Sequence, residues 1–125
     1  PICSSIGRLF DGVSALLGLC SVSDFEGQAA MRMESAACQF VNRTVSYKIP
    51  LLTENNLFLL DWRLMIKQIF DDLMEGIASE EIAFAFHEAL ARVILELAMQ
   101  SGVKDVLLTG GVMQNRLLAE TSACL

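Results

Sequence analysis

The stretch Leu107–Asn115, LLTGGVMQN, carries the strongest fold signal of the sequence. Within Val103–Thr109, a short apolar run follows a long helical pattern and precedes two glycines. Such a run is typical of a buried strand of the parallel type. The sequence therefore predicts a strand in Val103–Thr109, a turn at Gly110-Gly111 and a further helix over Val112–Leu125.

The glycine turn is the strongest candidate for chemistry. A strand that enters a Gly-Gly turn and then a helix presents free backbone N–H groups at a helix N-terminus, which suits phosphate. Gly110 and Gly111 have no Cβ, so a ligand can approach the backbone closely. Asn115, one helical turn later, is placed to donate to a phosphate or a sugar. The alternative is a structural turn in which glycine only supplies the φ angle, and the spacing leaves both open.

The rest of the chain is predicted to be mainly helical. Apolar residues at helical spacing predict helices over Ser5–Gly18 and from Gly27 to about Phe40. Two more follow, one from the cap Asp61 to Gly76 and a longer one from the cap Ser79 to Gly102. The expected fold class is thus mainly α, with one short strand and a possible hairpin.

The hairpin is predicted within residues 42–60. Val45, Tyr47 and Ile49 alternate with polar residues, which indicates a strand that Pro50 ends. Residues 53–56 resemble a turn, and Leu57–Leu60 is the expected return strand.

Composition excludes several classes of protein. The chain has 125 residues, of which 54% are apolar and 19% are charged. This length allows one domain at most, and this composition excludes a disordered chain. No run approaches the roughly 20 apolar residues of a spanning helix. The net charge is −6 and the nine basic residues are scattered, which argues against nucleic-acid and membrane-surface partners. The apolar content instead predicts surface that needs a neighbour, and self-association of the isolated chain.

The four cysteines indicate an intracellular protein. Cys3, Cys20, Cys38 and Cys124 lie far apart, without the close pairs of a zinc or redox motif. Free, buried thiols and a cytoplasmic location are therefore expected.

Three other positions have both a structural and a functional interpretation. Asp11 lies one helical turn from Arg8, which favours a solvated pair. Glu26 beside Gly27 favours a contact with the helix dipole, with a ribose or substrate contact as the alternative. His87 is the only histidine, and no orienting partner or nucleophile is evident, so a structural or exposed histidine is favoured.

Five segments taken in order resemble a known family. They are Ser4–Val13 (SSIGRLFDGV), Glu26–Met31 (EGQAAM), Leu60–Arg63 (LDWR), Phe86-His87 and Leu108–Leu118 (LTGGVMQNRLL). Each is weak alone, but their order and spacing resemble the C-terminal part of the HypF carbamoyltransferases over essentially the whole chain. The resemblance implies an actin-like, sugar-kinase-like ATPase fold. It further implies that residues 1–125 are one partial domain, truncated at both ends.

The resemblance also implies a reaction and its partners. HypF proteins use carbamoyl phosphate and ATP to make a carbamoyl-adenylate. They pass the carbamoyl group to the C-terminal cysteine of the partner HypE, which supplies the cyanide ligand of nickel–iron hydrogenases. The remaining domains of the parent protein are then the other expected partners, and this chain alone is expected to be inactive.

The family's functional residues can be carried over only where motifs match. Gly110, Gly111 and Asn115 match the nucleotide-contacting turn. Asp11 falls where related sequences have an acidic residue near the adenosine, and Glu26-Gly27 match a segment near the ribose or adenine. The family's divalent metal is expected to have its ligands outside this chain, upstream in an H-x-x-x-H motif and downstream at an aspartate.

Two other functions remain open at this point. A small acidic helical module could bind a protein partner through apolar surface, although such a module would not need the Gly110–Asn115 turn. A sugar-kinase or acetate-kinase relative would share the fold, but the EGQ and LDWR segments argue against it by resemblance.

Overall fold

The computed structural model describes residues 5–40 and 42–125. This part of the chain contains five α-helices, a two-stranded sheet and one 3-10 turn at Gly111–Gln114. The elements in chain order are α1 (Ile6–Leu16), α2 (Gln28–Ala37), β1 (Leu51–Glu54), β2 (Leu57–Leu60), α3 (Arg63–Met74), α4 (Ser79–Ser101) and α5 (Arg116–Cys124). The predicted mainly helical class is confirmed.

Helix α4 is the central element. It is buried along most of Glu81–Val93 and packs against α2 and α5, while α1 packs against α2. The rings of Phe10 (α1) and Phe86 (α4) are fully buried and meet edge to face, with centroids 5.0 Å apart. Gly102 ends α4 in the left-handed region (φ 68°), as predicted for a C-cap.

The N-terminus of α4 differs from the prediction. Ser79 was expected to be its N-cap, but Ala78 occupies that position and makes no side-chain cap. The Ser79 hydroxyl instead donates to the Leu17 carbonyl at 3.3 Å, which ties α4 to the end of α1. A hydroxyl is satisfied equally well by a tertiary acceptor, so the residue type alone could not locate the cap.

The hairpin is present but begins later than predicted. β1 and β2 are antiparallel, and Leu51 faces Leu60. Asn55 (φ 51°) and Asn56 (φ 62°) both have positive φ, as the two-residue turn of a tight hairpin requires. The return strand Leu57–Leu60 is confirmed, whereas the first strand is Leu51–Glu54 and lies after Pro50 rather than before it.

The segment before Pro50 is extended but is paired with no strand in the described residues. Its alternation still identifies the buried side, because Tyr47 and Ile49 are buried while Ser46 and Lys48 are exposed. The Tyr47 hydroxyl donates to Asp72 Oδ2 of α3 at 2.6 Å. Alternation therefore reported which side chains face the core, and not whether a ladder forms.

A buried carboxylate fixes the start of this segment. Glu81 Oε1 accepts hydrogen bonds from the Thr44 backbone N–H (2.6 Å), the Thr44 hydroxyl (2.5 Å) and the Val45 N–H (3.1 Å). The Thr44 hydroxyl bond, followed by the two backbone bonds, lowers the pKa of Glu81 against the opposing effect of burial. The ionised carboxylate thus holds the extended segment onto α4.

Glu81→Gln is expected to lower the free energy of unfolding by about 1–2 kcal/mol, because a neutral amide oxygen accepts these bonds more weakly. A carboxylate with a lowered folded-state pKa stabilises the fold above its ordinary value near 4.5, and this contribution is lost as the pH falls through the folded-state pKa. The measurement is urea unfolding of both chains between pH 7 and pH 3, where the difference should shrink with acid.

Glu80→Gln is the matched control, since Glu80 also lies in the first turn of α4. It should change the free energy of unfolding by no more than about 0.5 kcal/mol. Equal effects of the two substitutions at pH 7 would contradict the role given to Glu81.

The predicted buried strand in Val103–Thr109 is wrong. No strand forms there, and the side chains of Val106 and Leu107 are 50% and 86% exposed. A parallel strand needs a neighbouring strand, and the described residues offer none at this position. The following helix is also shorter than predicted, since α5 begins only at Arg116.

The cysteines are free where they are described, but only one is buried. Cys20 is buried, whereas Cys38 and Cys124 are exposed, so the expectation of buried thiols is wrong for those two. Cys3 lies outside the described residues. Among residues 5–40 and 42–125, no helix has the length and apolar character needed to cross a membrane.

Candidate functional site

The glycine turn is an exposed and tightly wound piece of backbone. Gly110 has φ 99° and ψ 168°, a conformation that residues with a Cβ rarely adopt. The chain then forms the 3-10 turn Gly111–Gln114, and the Met113 N–H bonds the Gly110 carbonyl at 3.1 Å. Within the described residues, the N–H groups of Gly111 and Val112 have no hydrogen-bond acceptor. They are therefore available to a ligand.

Helix α5 does not supply the anion site that the sequence predicted. Its first-turn N–H groups are already bonded, Leu117 N to Glu34 Oε1 of α2 and Leu118 N to Asn115 Oδ1, both at 3.0 Å. A carboxylate and a side-chain cap thus occupy the positions that a phosphate would need. The free donors lie earlier, in the 3-10 turn.

Asn115 is buried beneath the turn rather than exposed beside it. Its side chain caps α5 through Oδ1, while Nδ2 donates to His87 Nε2 at 2.8 Å. Both ends of the amide are therefore occupied, and only 5% of the residue is exposed. A direct contact of Asn115 with a nucleotide stays a prediction, but here the residue has a supporting role.

His87 lies in the core, so of the two alternatives that the sequence favoured, structural or exposed, the structure shows the first. It is 1% exposed, and its Nδ1–H donates to the Ala83 carbonyl at 2.7 Å, which leaves Nε2 to accept from Asn115. The rings of Phe10 and Phe86 meet it edge to face, at centroid distances of 5.3 and 6.0 Å. Burial lowers the pKa of His87, so its ring is neutral at pH 7.

Asp11 lies on the helix that passes the turn. It pairs with Arg8 at 3.4 Å and its side chain is 42% exposed. Gly7, one helical turn earlier on the same face, packs near Val112, since a Cβ at Gly7 would lie 4.0 Å from Val112 Cγ2. This contact brings the start of α1 to the glycine turn, whereas no hydrogen bond or ion pair joins Asp11 to a described residue of the turn.

Glu26 and Gly27 are not brought to the turn by any contact. Both are exposed at the start of α2, where Gly27 is the N-cap with φ 83°. Glu26 has no hydrogen bond or ion pair with another described residue. A ribose or adenine contact for this pair stays a prediction.

Two shallow depressions exist elsewhere on the surface. One, of about 440 Å³, lies between residues 46–50 and α4, and the other, of about 400 Å³, lies between α2 and α5. Neither is lined by Gly110 or Gly111. In the described part of the chain, no three His, Cys, Asp or Glu residues converge in a way that could hold a metal ion. The glycine turn therefore lies on exposed surface outside both depressions.

Comparison with known proteins identifies the family. A family model described as the second subdomain of the carbamoyltransferase Kae1-like domain matches residues 1–124. The carbamoyltransferase HypF of Synechocystis is 37% identical over the full length of this chain. The chain belongs to the HypF carbamoyltransferase family. The predicted family and its actin-like ATPase-type fold are therefore confirmed.

Other HypF relatives support the same family assignment. The probable carbamoyltransferase HypF of Methanocaldococcus jannaschii is 31% identical over 96% of this chain. A full-length HypF solved in a phosphate- and nucleotide-bound form superposes with a TM-score of 0.84 at 34% identity, over 96% of this chain and 19% of that one. The HypF of T. kodakarensis gives a TM-score of 0.79 at 32% identity, over 95% and 15% of the two chains. The chain spans about one sixth of the length of the HypF sequences from Synechocystis and M. jannaschii.

Proposed function

We propose that this chain forms one wall of the nucleotide cleft of a HypF-type carbamoyltransferase. The full-length enzyme uses carbamoyl phosphate and ATP to form a carbamoyl-adenylate. It then transfers the carbamoyl group to the C-terminal cysteine of a HypE-type protein during maturation of nickel–iron hydrogenases. The reaction belongs to the cytoplasm, where HypE and nucleotide are both present.

The observation that carries this proposal is the Gly110–Gln114 turn. Two successive N–H groups, of Gly111 and Val112, are free in the described residues, and glycine leaves the backbone open to a ligand. Adjacent backbone donors of this kind suit phosphate oxygens. Support comes from the structural relative solved with phosphate and nucleotide, which shares this fold at 34% identity.

The net charge of the chain opposes the binding of a nucleotide. The chain has a net charge of −6, so its overall field repels a nucleotide. Binding then depends on the local donors of the turn and on a divalent cation held by residues outside this chain. Asp11, on the helix whose first turn contacts Val112, is the candidate for an adenosine contact, and Glu26-Gly27 for the ribose.

The other wall of the cleft belongs to the rest of the enzyme. Because the chain spans about one sixth of the HypF relatives, we expect it to be inactive by itself. Val106 and Leu107, which lead into the turn, are at least half exposed and are suited to pairing with the remainder of the domain.

The test is a transfer assay with the full-length carbamoyltransferase that carries this chain. The enzyme is incubated with ATP, carbamoyl phosphate and a HypE-type protein, and the HypE C-terminus is analysed by mass spectrometry. The proposal predicts one carbamoyl group on the terminal cysteine and release of AMP, neither of which the isolated chain should produce. Transfer in the absence of ATP would refute the nucleotide cleft.

A second candidate, a protein-interaction module, has one observation in its favour. The outer face of the hairpin carries Leu52, Leu57 and Leu59, which are 44%, 66% and 42% exposed. An apolar face of this kind favours docking to a neighbour or self-association. Size-exclusion chromatography with light scattering tests this: a strictly monomeric chain at high concentration would count against self-association.

A further inference from the structure

A buried chain of hydrogen bonds connects α4 to the glycine turn, and its polarity is fixed at every link. The Ala83 carbonyl accepts from His87 Nδ1, so Nε2 of the neutral ring is an acceptor. Asn115 Nδ2 donates to that Nε2 at 2.8 Å. Asn115 Oδ1 is then left to accept from Leu118 N at 3.0 Å. No alternative orientation of the Asn115 amide satisfies both of its partners.

Asn115 connects this chain of hydrogen bonds directly to the turn. It is the residue at which the 3-10 turn ends and α5 begins. Its own backbone N–H bonds the Val112 carbonyl at 3.1 Å. A displacement of Asn115 would therefore displace Val112, one of the two residues whose N–H groups are free.

We propose that His87 is a positioning residue for the glycine turn: by accepting a hydrogen bond from Asn115, it holds Gly111–Gln114 in the conformation that presents the Gly111 and Val112 N–H groups. Its relevance to a nucleotide rests on the proposed function, whereas its effect on the turn does not. His87 itself is 1% exposed, so it acts on the turn through Asn115.

The residues around His87 support its role in orienting the Asn115 amide. Phe10 and Phe86 contact the ring edge to face from two helices and fix its plane. From α2, Glu34 bonds the neighbouring Leu117 N–H, so the first turn of α5 is held by two side-chain acceptors. The Asn115 amide joins the two sides of this arrangement, because it bonds His87 through Nδ2 and the Leu118 N–H through Oδ1.

Two substitutions of His87 separate orientation from packing. In His87→Gln, the amide oxygen can occupy the place of Nε2 and accept from Asn115, while the bond to Ala83 is lost. In His87→Asn, the shorter amide can donate to Ala83 but cannot reach Asn115. Both replace the ring by an amide, so general damage to the core should be similar.

Asn115→Ser breaks the same link from the other side. Serine is as good an N-cap as asparagine, so the bond to the Leu118 N–H is retained, but the donor to His87 is lost. This variant keeps the proposal testable if a substitution at His87 reduces folding.

The experiment uses the full-length protein and hydrogen-exchange mass spectrometry of the peptides that cover residues 109–118. We expect exchange there to become about tenfold faster in His87→Asn and Asn115→Ser, as the loss of one buried hydrogen bond predicts, and to stay near wild type in His87→Gln. Affinity for a non-hydrolysable ATP analogue should fall by a similar factor in the first two variants only.

Each outcome has one meaning. Equal exchange in His87→Gln and His87→Asn, or faster exchange spread evenly along α4, would overturn the positioning role in favour of packing. A wild-type protein that does not bind the ATP analogue would refute the proposed function, while the exchange data would still decide the role of His87.

Discussion

Replacement of Gly111 by valine in the full-length enzyme is expected to reduce carbamoyl transfer about 100-fold or more, without loss of the folded state. A Cβ built at Gly111 meets no atom within 4 Å, and its φ lies outside the left-handed region. The free protein should therefore tolerate a side chain there. A valine would occupy the space next to the free N–H groups and would keep a phosphate away from the backbone.

A graded series makes this result specific. Gly111→Ala should have a smaller effect than Gly111→Val, because the excluded volume is smaller, and neither should change the melting temperature by more than a few degrees. Hydrolysis of carbamoyl phosphate, which we assign to residues outside this chain, serves as the internal control and should be unchanged. If Gly111→Val impaired neither transfer nor hydrolysis, the assignment of the turn to the nucleotide wall would fail.

Phe86→Ala is expected to lower the free energy of unfolding by about 3–5 kcal/mol. Phe86 is fully buried in α4 and contacts both Phe10 and His87 edge to face. Its removal leaves a cavity between the central helix and α1 that the surrounding backbone cannot close. Small domains have only about 5–15 kcal/mol of stability, so this loss is a large fraction of the total and should shift the unfolding transition to clearly lower urea.

The matched control is Phe70→Ala on α3, where the ring is 53% exposed. That substitution should lower the free energy of unfolding by about 1 kcal/mol or less. Urea unfolding followed by circular dichroism measures both. Comparable losses for the two phenylalanines would show that α4 is not the centre of the core.

Local patterns were sufficient for most of the helices and for the hairpin turn. The apolar spacing in α1, α2 and α4 reports a face that packs against a neighbour, and this holds wherever the neighbour comes from. The turn predicted over residues 53–56 is confirmed at Asn55-Asn56 only, since Thr53 and Glu54 belong to β1. The alternation of Val45, Tyr47 and Ile49 correctly indicates the buried side, but the paired strand that it predicts does not form.

Features that depend on distant residues could not be predicted. The run Val106–Leu108 is as apolar as a buried strand, but a strand also requires a hydrogen-bonded neighbour. The contact between Glu34 and Leu117 joins residues 83 positions apart, and that between His87 and Asn115 joins residues 28 positions apart. No local pattern could predict either contact. The Ser79 hydroxyl likewise has a distant acceptor, the Leu17 carbonyl just after α1, and not the local cap that its residue type indicates.

The candidate site was predicted unevenly for the same reason. Gly110 and Gly111 stand out in any sequence, because paired glycines after an apolar run mark a sharp exposed turn. Asp11 is indicated only by the family resemblance, because its local pattern is that of an ordinary helical pair with Arg8. Asn115 differs most from its predicted role of ligand donor, because its amide is buried and bonded to His87.

Hydrogen-exchange mass spectrometry of the full-length protein, with and without a non-hydrolysable ATP analogue, tests the nucleotide wall most directly. Slower exchange with nucleotide in the peptides that cover Thr109–Asn115, and in those near Asp11, is the predicted result. Binding of the analogue with no change in exchange at Thr109–Asn115 would contradict the account, because the nucleotide would then be held by other parts of the enzyme.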